Sequence, residues 1–260
     1  GSRDWRLGQL KALQNLGNYD DVEKIIYRYI EEKPGESEFW LQQANAFIAV
    51  GKYPEAASNL EIVKMLGGAD TSMLVLLGDL YVNMDAASLA VEPYTAALDT
   101  GKVKASNALN IAKIMSRRLR STELKSFLSK IESSYASTLA SEDSLTLLTL
   151  QAANAMALGN KDEGMDLLSQ VVSKDPLNGG ALLTLGSHYY SEADYERALD
   201  YYDRAEKVED VKVEALLGSA RVLVKQTKYL EAIYRLKAAQ VIDDQPFIAQ
   251  YISTLENFVK

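Results

Sequence analysis

Apolar residues along this chain recur at helical spacing, and the pattern itself recurs every 34 residues. One phase of the period holds Ala44, Gly78, Ala112, Ala152, Gly186 and Ala220. Twelve residues later it holds Ala56, Ala90, Ala198 and Ala232, and a third phase holds Tyr19, Tyr53, Tyr195 and Tyr229. Each period reads as two helices. In 179–212, Leu182, Leu185, Gly186 and Tyr189 share one face of a first helix. Tyr195, Ala198, Leu199, Tyr202 and Ala205 share one face of a second.

The period cuts the chain into units 3–36, 37–70, 71–104 and 105–138, then 145–178, 179–212 and 213–246. An inter-block insertion, 139–144, separates repeats one to four (3–138) from repeats five to seven (145–246). Residues 247–260 have the length of one further helix, a cap or a partial repeat. Turn residues sit where hairpins need them. Gly17, Gly51 and Gly159 fall between paired helices, suited to a left-handed turn. Pro54 falls in a first helical turn, where a missing N–H costs nothing, and Pro34 and Pro176 follow second helices.

The unit resembles the tetratricopeptide repeat. Trp40, Ala44, Phe47, Gly51, Tyr53 and Ala56 stand at that family's spacing. So do Leu74, Leu77, Gly78, Tyr81, Ala90, Tyr94 and Ala97, and the residues of 179–212 named above. The resemblance implies an all-α, right-handed solenoid of seven helical hairpins plus a C-terminal helix. The expected physical role of the small residues is to let paired helices approach while aromatics fill the adjoining gap.

The match is uneven. Ser121 and Leu124 replace the tyrosine and the small residue in the fourth unit, while Val22 and Gly164 fill that small slot in the first and fifth. Leu124 is expected to push its helices apart, and the stretch 119–144 to form a softer joint. Pro93, inside a second helix, is expected to kink or shorten it.

Composition narrows the function. The chain is 47% hydrophobic and 25% charged, the balance of a folded soluble protein. The longest uncharged stretch, Ser144 to Asn160, is interrupted by polar residues and too short for a membrane span of about 20 apolar residues. A soluble protein is expected, cytoplasmic or periplasmic. Gly1-Ser2 reads as a cloning remnant, with sequence upstream of it expected. There is no cysteine, and one histidine, His188, cannot build a multi-histidine site. Neither a metal nor a cofactor is expected. No phosphate-cradling glycine loop, calcium loop or nucleophile–base constellation is present, and His188 reads as a structural or surface residue. An enzyme is not expected.

Most of the 15 tyrosines fall on the repeat's packing slots, where core packing is the expected role. Tyr190 and Tyr251 lie off those slots.

In the tetratricopeptide family, partner segments lie along the concave face of the first helices. Carried over by position, that groove comprises Leu41, Asn45, Ile48, Val75, Asp79, Val82, Asn83, Asn110, Lys113, Arg117, Ser187, Tyr190 and Arg221. It mixes apolar residues with amides, a surface for an extended or helical peptide with apolar anchors. For Val75, Leu41, Leu109, Leu183 and Leu217, burial between helices is an equal reading. One subgroup grips chaperone tails with a lysine. Here that slot holds Leu7, Leu41, Val75, Leu109, Thr149, Leu183 and Leu217, so that role is not expected.

Net charge is −8, yet 102–130 holds eight basic residues against Glu123 alone. Lys113, Arg117, Arg118 and Arg120 form the centre of this basic belt, suited to an acidic partner. The acidic remainder argues against nucleic acid as a partner. The last segment carries two apolar stripes, with Tyr251 and Phe258 on one of them, and self-association there is a further expectation. The expected function is a non-catalytic scaffold or adaptor for a protein or peptide partner. The alternatives are a substrate-recruiting or self-assembling module of a larger protein and, ranked lower, a helical-repeat RNA binder.

Overall fold

The computed structural model describes residues 3–17, 19–119 and 122–259. Among the described residues the regular elements are helices and no strand occurs. Contacts gather the chain into two units, Gly1–Asp143 and Ser144–Lys260. The first contains α1 (Arg3–Asn15), α2 (Tyr19–Glu32), α3 (Ser37–Ala49), α4 (Tyr53–Met65), α5 (Thr71–Asn83), α6 (Ala87–Asp99), α7 (Ala105–Arg118) and α8 (Thr122–Tyr135). The second is built from α9 (Ser141–Ala157, all but its first three residues), α10 (Lys161–Lys174), α11 (Gly179–Ser191), α12 (Tyr195–Ala205), α13 (Lys212–Lys225), α14 (Tyr229–Ile242) and α15 (Pro246–Val259). The fold is an all-α helical-repeat fold, four hairpins and then three, followed by α15.

Helix ends follow from local chemistry. The side chains of Asp70 and Asn178 accept from the N–H groups of Met73 (2.8 Å) and Ala181 (3.1 Å), satisfying donors that α5 and α11 leave orphaned. Only part of the insertion before the fifth repeat, residues 139–140, stays outside a helix. Residues 141–144 become the first turn of a 17-residue α9, with Glu142 and Asp143 at its positive end.

The turn inside each hairpin is also periodic. Gly17, Gly51 and Gly159 adopt φ of 70°, 77° and 82°. The same position in other hairpins is held by Asp85, Ala193 and Thr227, at φ of 62°, 59° and 60°. In the fourth hairpin the position belongs to Leu119, which is extended instead (φ −133°).

Two buried slots set how each hairpin closes. The first couples residues sixteen apart, one on each helix. Gly78 faces Tyr94 and Gly186 faces Tyr202, so that a Cβ on Gly78 would lie 2.5 Å from the Tyr94 ring. Where alanine replaces glycine the partner is leucine: Ala44 with Leu60, Ala112 with Leu128, Ala152 with Leu168, Ala220 with Leu236, all buried. Only the first hairpin pairs two large residues, Leu10 and Ile26. Volume lost on one helix is restored on the other, as close packing requires.

The second slot governs approach. Hairpins with Ala56, Ala90, Ala198 or Ala232 there bring their two backbones close along most of their length. Those with Val22, Leu124 or Gly164 do not. Leu124, fully buried, holds α8 away from α7 as expected, and α8 packs on α6 as well. Beside Gly164 the Met156 side chain fills the space, so α10 is denied its close approach to α9.

Three expectations need correction. Pro93 does not shorten α6, which runs its full 13 residues with Pro93 buried inside it. Tyr53 does not pack in the core. It is the first residue of α4 and 41% exposed, because a side chain at a helix end projects past the neighbouring helix. Val82, assigned to the groove, is only 6% exposed and is a packing residue. Ser121, and the side chain of Tyr19, lie outside the described residues.

Candidate functional site: a cleft on the first helices

The exposed faces of α5 and α7 border a cleft of about 480 Å³ within the first unit. Val75 and Asp79 line it from α5, and Asn107, Asn110 and Ile114 from α7. The helical period puts Asn107, Asn110 and Ile114 on one stripe, spaced three and four residues apart. Lys102 and Val103, from the turn before α7, close one end. The floor is apolar: Val103 and Ile111 are buried and Val75 is half-buried. Ile114 is 42% exposed at the rim.

Asp79 is held in place from beneath. The Tyr94 hydroxyl donates to its Oδ1 at 2.6 Å. Burial, reinforced by this carboxylate, raises the Tyr94 phenol above its ordinary range, which favours the donor form. The packed glycine–tyrosine pair thereby fixes a carboxylate on the cleft wall. Asn107 and Asn110 supply amide donors and acceptors beside it.

Of the residues assigned to a groove, the cleft collects Val75, Asp79 and Asn110. Leu41, Asn45 and Ile48 lie on α3, with Asn45 exposed and the other two half-buried. Asn83 is exposed at the end of α5, and Lys113 and Arg117 are exposed on α7. Ser187, Tyr190 and Arg221 belong to the second unit, on α11 and α13. Leu109 is 1% exposed, so burial is its role. Asn107 and Ile114 were not anticipated, and Lys102 was expected only in the basic belt. The signal for the first two was the helical spacing from Asn110.

The basic belt divides in two. Arg118 pairs with Asp85 at 2.5 Å and Lys130 with Asp99. Among the described residues no carboxylate pairs with Lys102, Lys113 or Arg117, which flank the cleft or continue its α7 wall. Arg120 lies outside the described residues. At the end of the second unit, Phe258 is 68% exposed and stacks on Tyr229, with ring centroids 5.8 Å apart. Tyr251 is half-buried against the α13–α15 core.

Among the described residues no helix is long and apolar enough to cross a membrane, and no cluster of three potential metal-binding side chains occurs. His188 lies edge-on to Tyr189, ring centroids 5.2 Å apart.

Residues 149–210 and 183–246 match the family described as tetratricopeptide repeat. The Bacillus subtilis tetratricopeptide-repeat-containing protein YpiA is 33% identical over 113 residues. That match takes in 42% of this chain and only about a quarter (26%) of the length of the curated relative. The fold is similar to the C-terminal part of a tetratricopeptide-repeat protein from Cytophaga hutchinsonii (14% identity, 93% of this chain, 97% of that one, TM-score 0.59). It is similar also to a chain of the Naa15/Naa10 complex bound to HypK (15% identity, 96% and 38% covered, TM-score 0.65). The 34-residue period and the paired small and large slots agree with these likenesses, and residues 149–246 carry tetratricopeptide repeats.

Proposed function

We propose that this chain is a non-catalytic scaffold that takes a segment of a partner protein along the first helices of its first unit, anchored in the α5–α7 cleft. Tetratricopeptide repeats generally mediate protein–protein interaction and generally lack catalysis. The observation that carries the finer reading is the cleft's composition: an exposed Ile114 and a half-buried Val75 beside the amides of Asn107 and Asn110. Burying one apolar partner side chain there contributes about 1.5–3 kcal/mol. The amides can bond the backbone of an extended segment, which supplies register. Lys102, Lys113 and Arg117, without carboxylate partners among the described residues, favour an acidic segment.

The test is affinity capture from the source cell with the wild type and with Asn107→Ala/Asn110→Ala/Ile114→Ser. The reading expects loss of a specific partner with the melting temperature nearly unchanged. Undiminished capture by the triple variant would refute it.

A second reading, self-association through α15, is favoured by the exposed Phe258. Light scattering on the wild type and on Tyr251→Lys/Phe258→Lys tests it, since a monomeric mass in both would exclude it.

A further inference from the structure

The seventh hairpin carries an apolar stripe that its own fold does not cover. Leu230, Tyr234 and Val241 are spaced four and seven residues apart on α14 and therefore share one face. They are 69%, 74% and 88% exposed. Ala232 and Ala239, on the opposite face, are fully buried in the core. The stripe belongs to a second helix, so it shares nothing with the cleft on the first helices. Stacking of further hairpins does not account for it. The slot of Tyr234 holds Lys24, Ser58, Glu92, Ser126, Asp166 and Asp200 in the other six hairpins. All six are exposed, although a further hairpin follows each in the chain. The slots of Leu230 and Val241 are exposed in the other described hairpins too and, apart from Pro54 and Met65, hold polar or charged residues. A single exposed aliphatic residue is ordinary, but three on one stripe mark an interaction surface.

Charge identifies the occupant. Lys228 stands at the positive end of α14, and Asp243 and Asp244 at its negative end, each against the helix dipole. The ion pairs of this helix engage Arg235, with Asp203 and Glu206, and Lys237, with Glu256 at 2.9 Å. Among the described residues no ion pair takes up Lys228, Asp243 or Asp244. Against an antiparallel copy of α14, Lys228 meets Asp243, Leu230 meets Val241 and Tyr234 meets Lys237. Each of these pairs is symmetric about the centre of the helix, between Arg235 and Leu236. Residues 230, 234, 237 and 241 have the spacing of a coiled-coil seam. The Lys237 amine is drawn aside to Glu256 on α15, which leaves its aliphatic stem to cover the Tyr234 ring of the other copy. A parallel copy would instead set Lys228 against Lys228 and Asp243 against Asp243, which repel.

We infer that α14 is the two-fold interface of a homodimer, helix against antiparallel helix, with Leu230, Tyr234 and Val241 buried between the two copies. Fourteen residues of helix make a small interface, so the dimer forms reversibly. The inference rests on the second reading above only for the idea that copies associate. Its layers contain neither Tyr251 nor Phe258, and it uses no residue of the α5–α7 cleft.

The experiment is light scattering of the full chain over a concentration series, joined to disulfide trapping of single-cysteine variants in a chain with no cysteine of its own. The mass is expected to rise toward that of two chains in the wild type and equally in Tyr251→Lys/Phe258→Lys. Tyr234→Asp installs the residue type of the two preceding hairpins, which spares the fold, and should weaken association about tenfold. Under mild oxidation a mixture of Leu230→Cys and Val241→Cys chains should give the mixed disulfide. Leu230→Cys alone should stay untrapped, because antiparallel copies hold the two positions about 16 Å apart along the axis. A monomeric mass at every concentration overturns the inference. Undiminished association of Tyr234→Asp overturns it too, as does preferential trapping of Leu230→Cys with itself. Association lost only in Tyr251→Lys/Phe258→Lys overturns it while upholding the α15 reading, so the two fail separately.

Discussion

The ring of Tyr94 occupies the space that a side chain on Gly78 would need, and its hydroxyl donates to Asp79, the next residue on the same helix. One buried aromatic thus closes the third hairpin and orients a polar group on its outer face. Packing and the candidate site are linked through a single side chain.

Gly78→Ala is expected to destabilise the protein by about 1–3 kcal/mol through overpacking, because Tyr94 is buried and tethered and cannot step aside. Adding Tyr94→Leu should recover part of that loss, since alanine facing leucine is the combination in four other hairpins. Urea unfolding of the two single variants and the double variant measures the coupling. Strict additivity would show that the two slots are independent.

Thr227 and Ala193 hold a left-handed conformation that side chains disfavour. Thr227→Gly is expected to stabilise by about 0.5–1 kcal/mol, because the steric cost outweighs the entropy lost by glycine. Gly51→Ala, at the same turn position, should destabilise by a similar amount. A lower unfolding midpoint for Thr227→Gly would contradict this account of the turn.

Inside the second hairpin, the Asn59 side-chain amide donates to Gln43 Oε1 at 2.8 Å, with both residues buried. Asn59→Ala leaves Gln43 without that donor and should cost about 1–3 kcal/mol. Replacing both by leucine should cost less than the single change. A harmless Asn59→Ala would mean that water replaces the lost donor.

Alkaline pH should weaken the fold. Burial and Asp79 raise the Tyr94 phenol, while burial and Glu61, which accepts from Tyr81 at 2.8 Å, push the Tyr81 phenol up to about 12. A raised folded value means that the unfolded chain loses these protons first. The stabilisation is therefore complete below the unfolded value of 10.0 and drains away as pH rises toward the folded values. Melting temperatures measured above that pH should fall, and Tyr81→Phe should flatten the decline. A pH-independent melting temperature across this range would count against these contacts.

Much of this architecture was legible in the sequence, because a stack of like hairpins repeats its constraints. The small residues that face aromatics announced helix pairing, and the exceptional Leu124 announced a looser hairpin. The sixteen-residue coupling was there to be seen as well, since Ala44 and Leu60 recur as Ala112 and Leu128. The left-handed turns at Asp85, Ala193 and Thr227 were hidden, because only glycine identifies such a turn by residue type. The site was less legible. Position on a helix placed Asn110 outward, but the same rule placed Val82 there, and packing against neighbouring helices buried it. The Tyr202 ring reaches α13 only because Gly218, on the following hairpin, leaves room for it.

The most direct test of partner capture by the cleft is site-specific photocrosslinking in the source cell. A benzophenone side chain is placed at Ile114, in the cleft, or at Leu89, exposed on α6 outside it. The expected result is one partner peptide crosslinked from position 114 and not from 89, with the yield abolished by Asn107→Ala/Asn110→Ala. Equal crosslinking from both positions, or a yield from 114 unaffected by loss of the two amides, would contradict it.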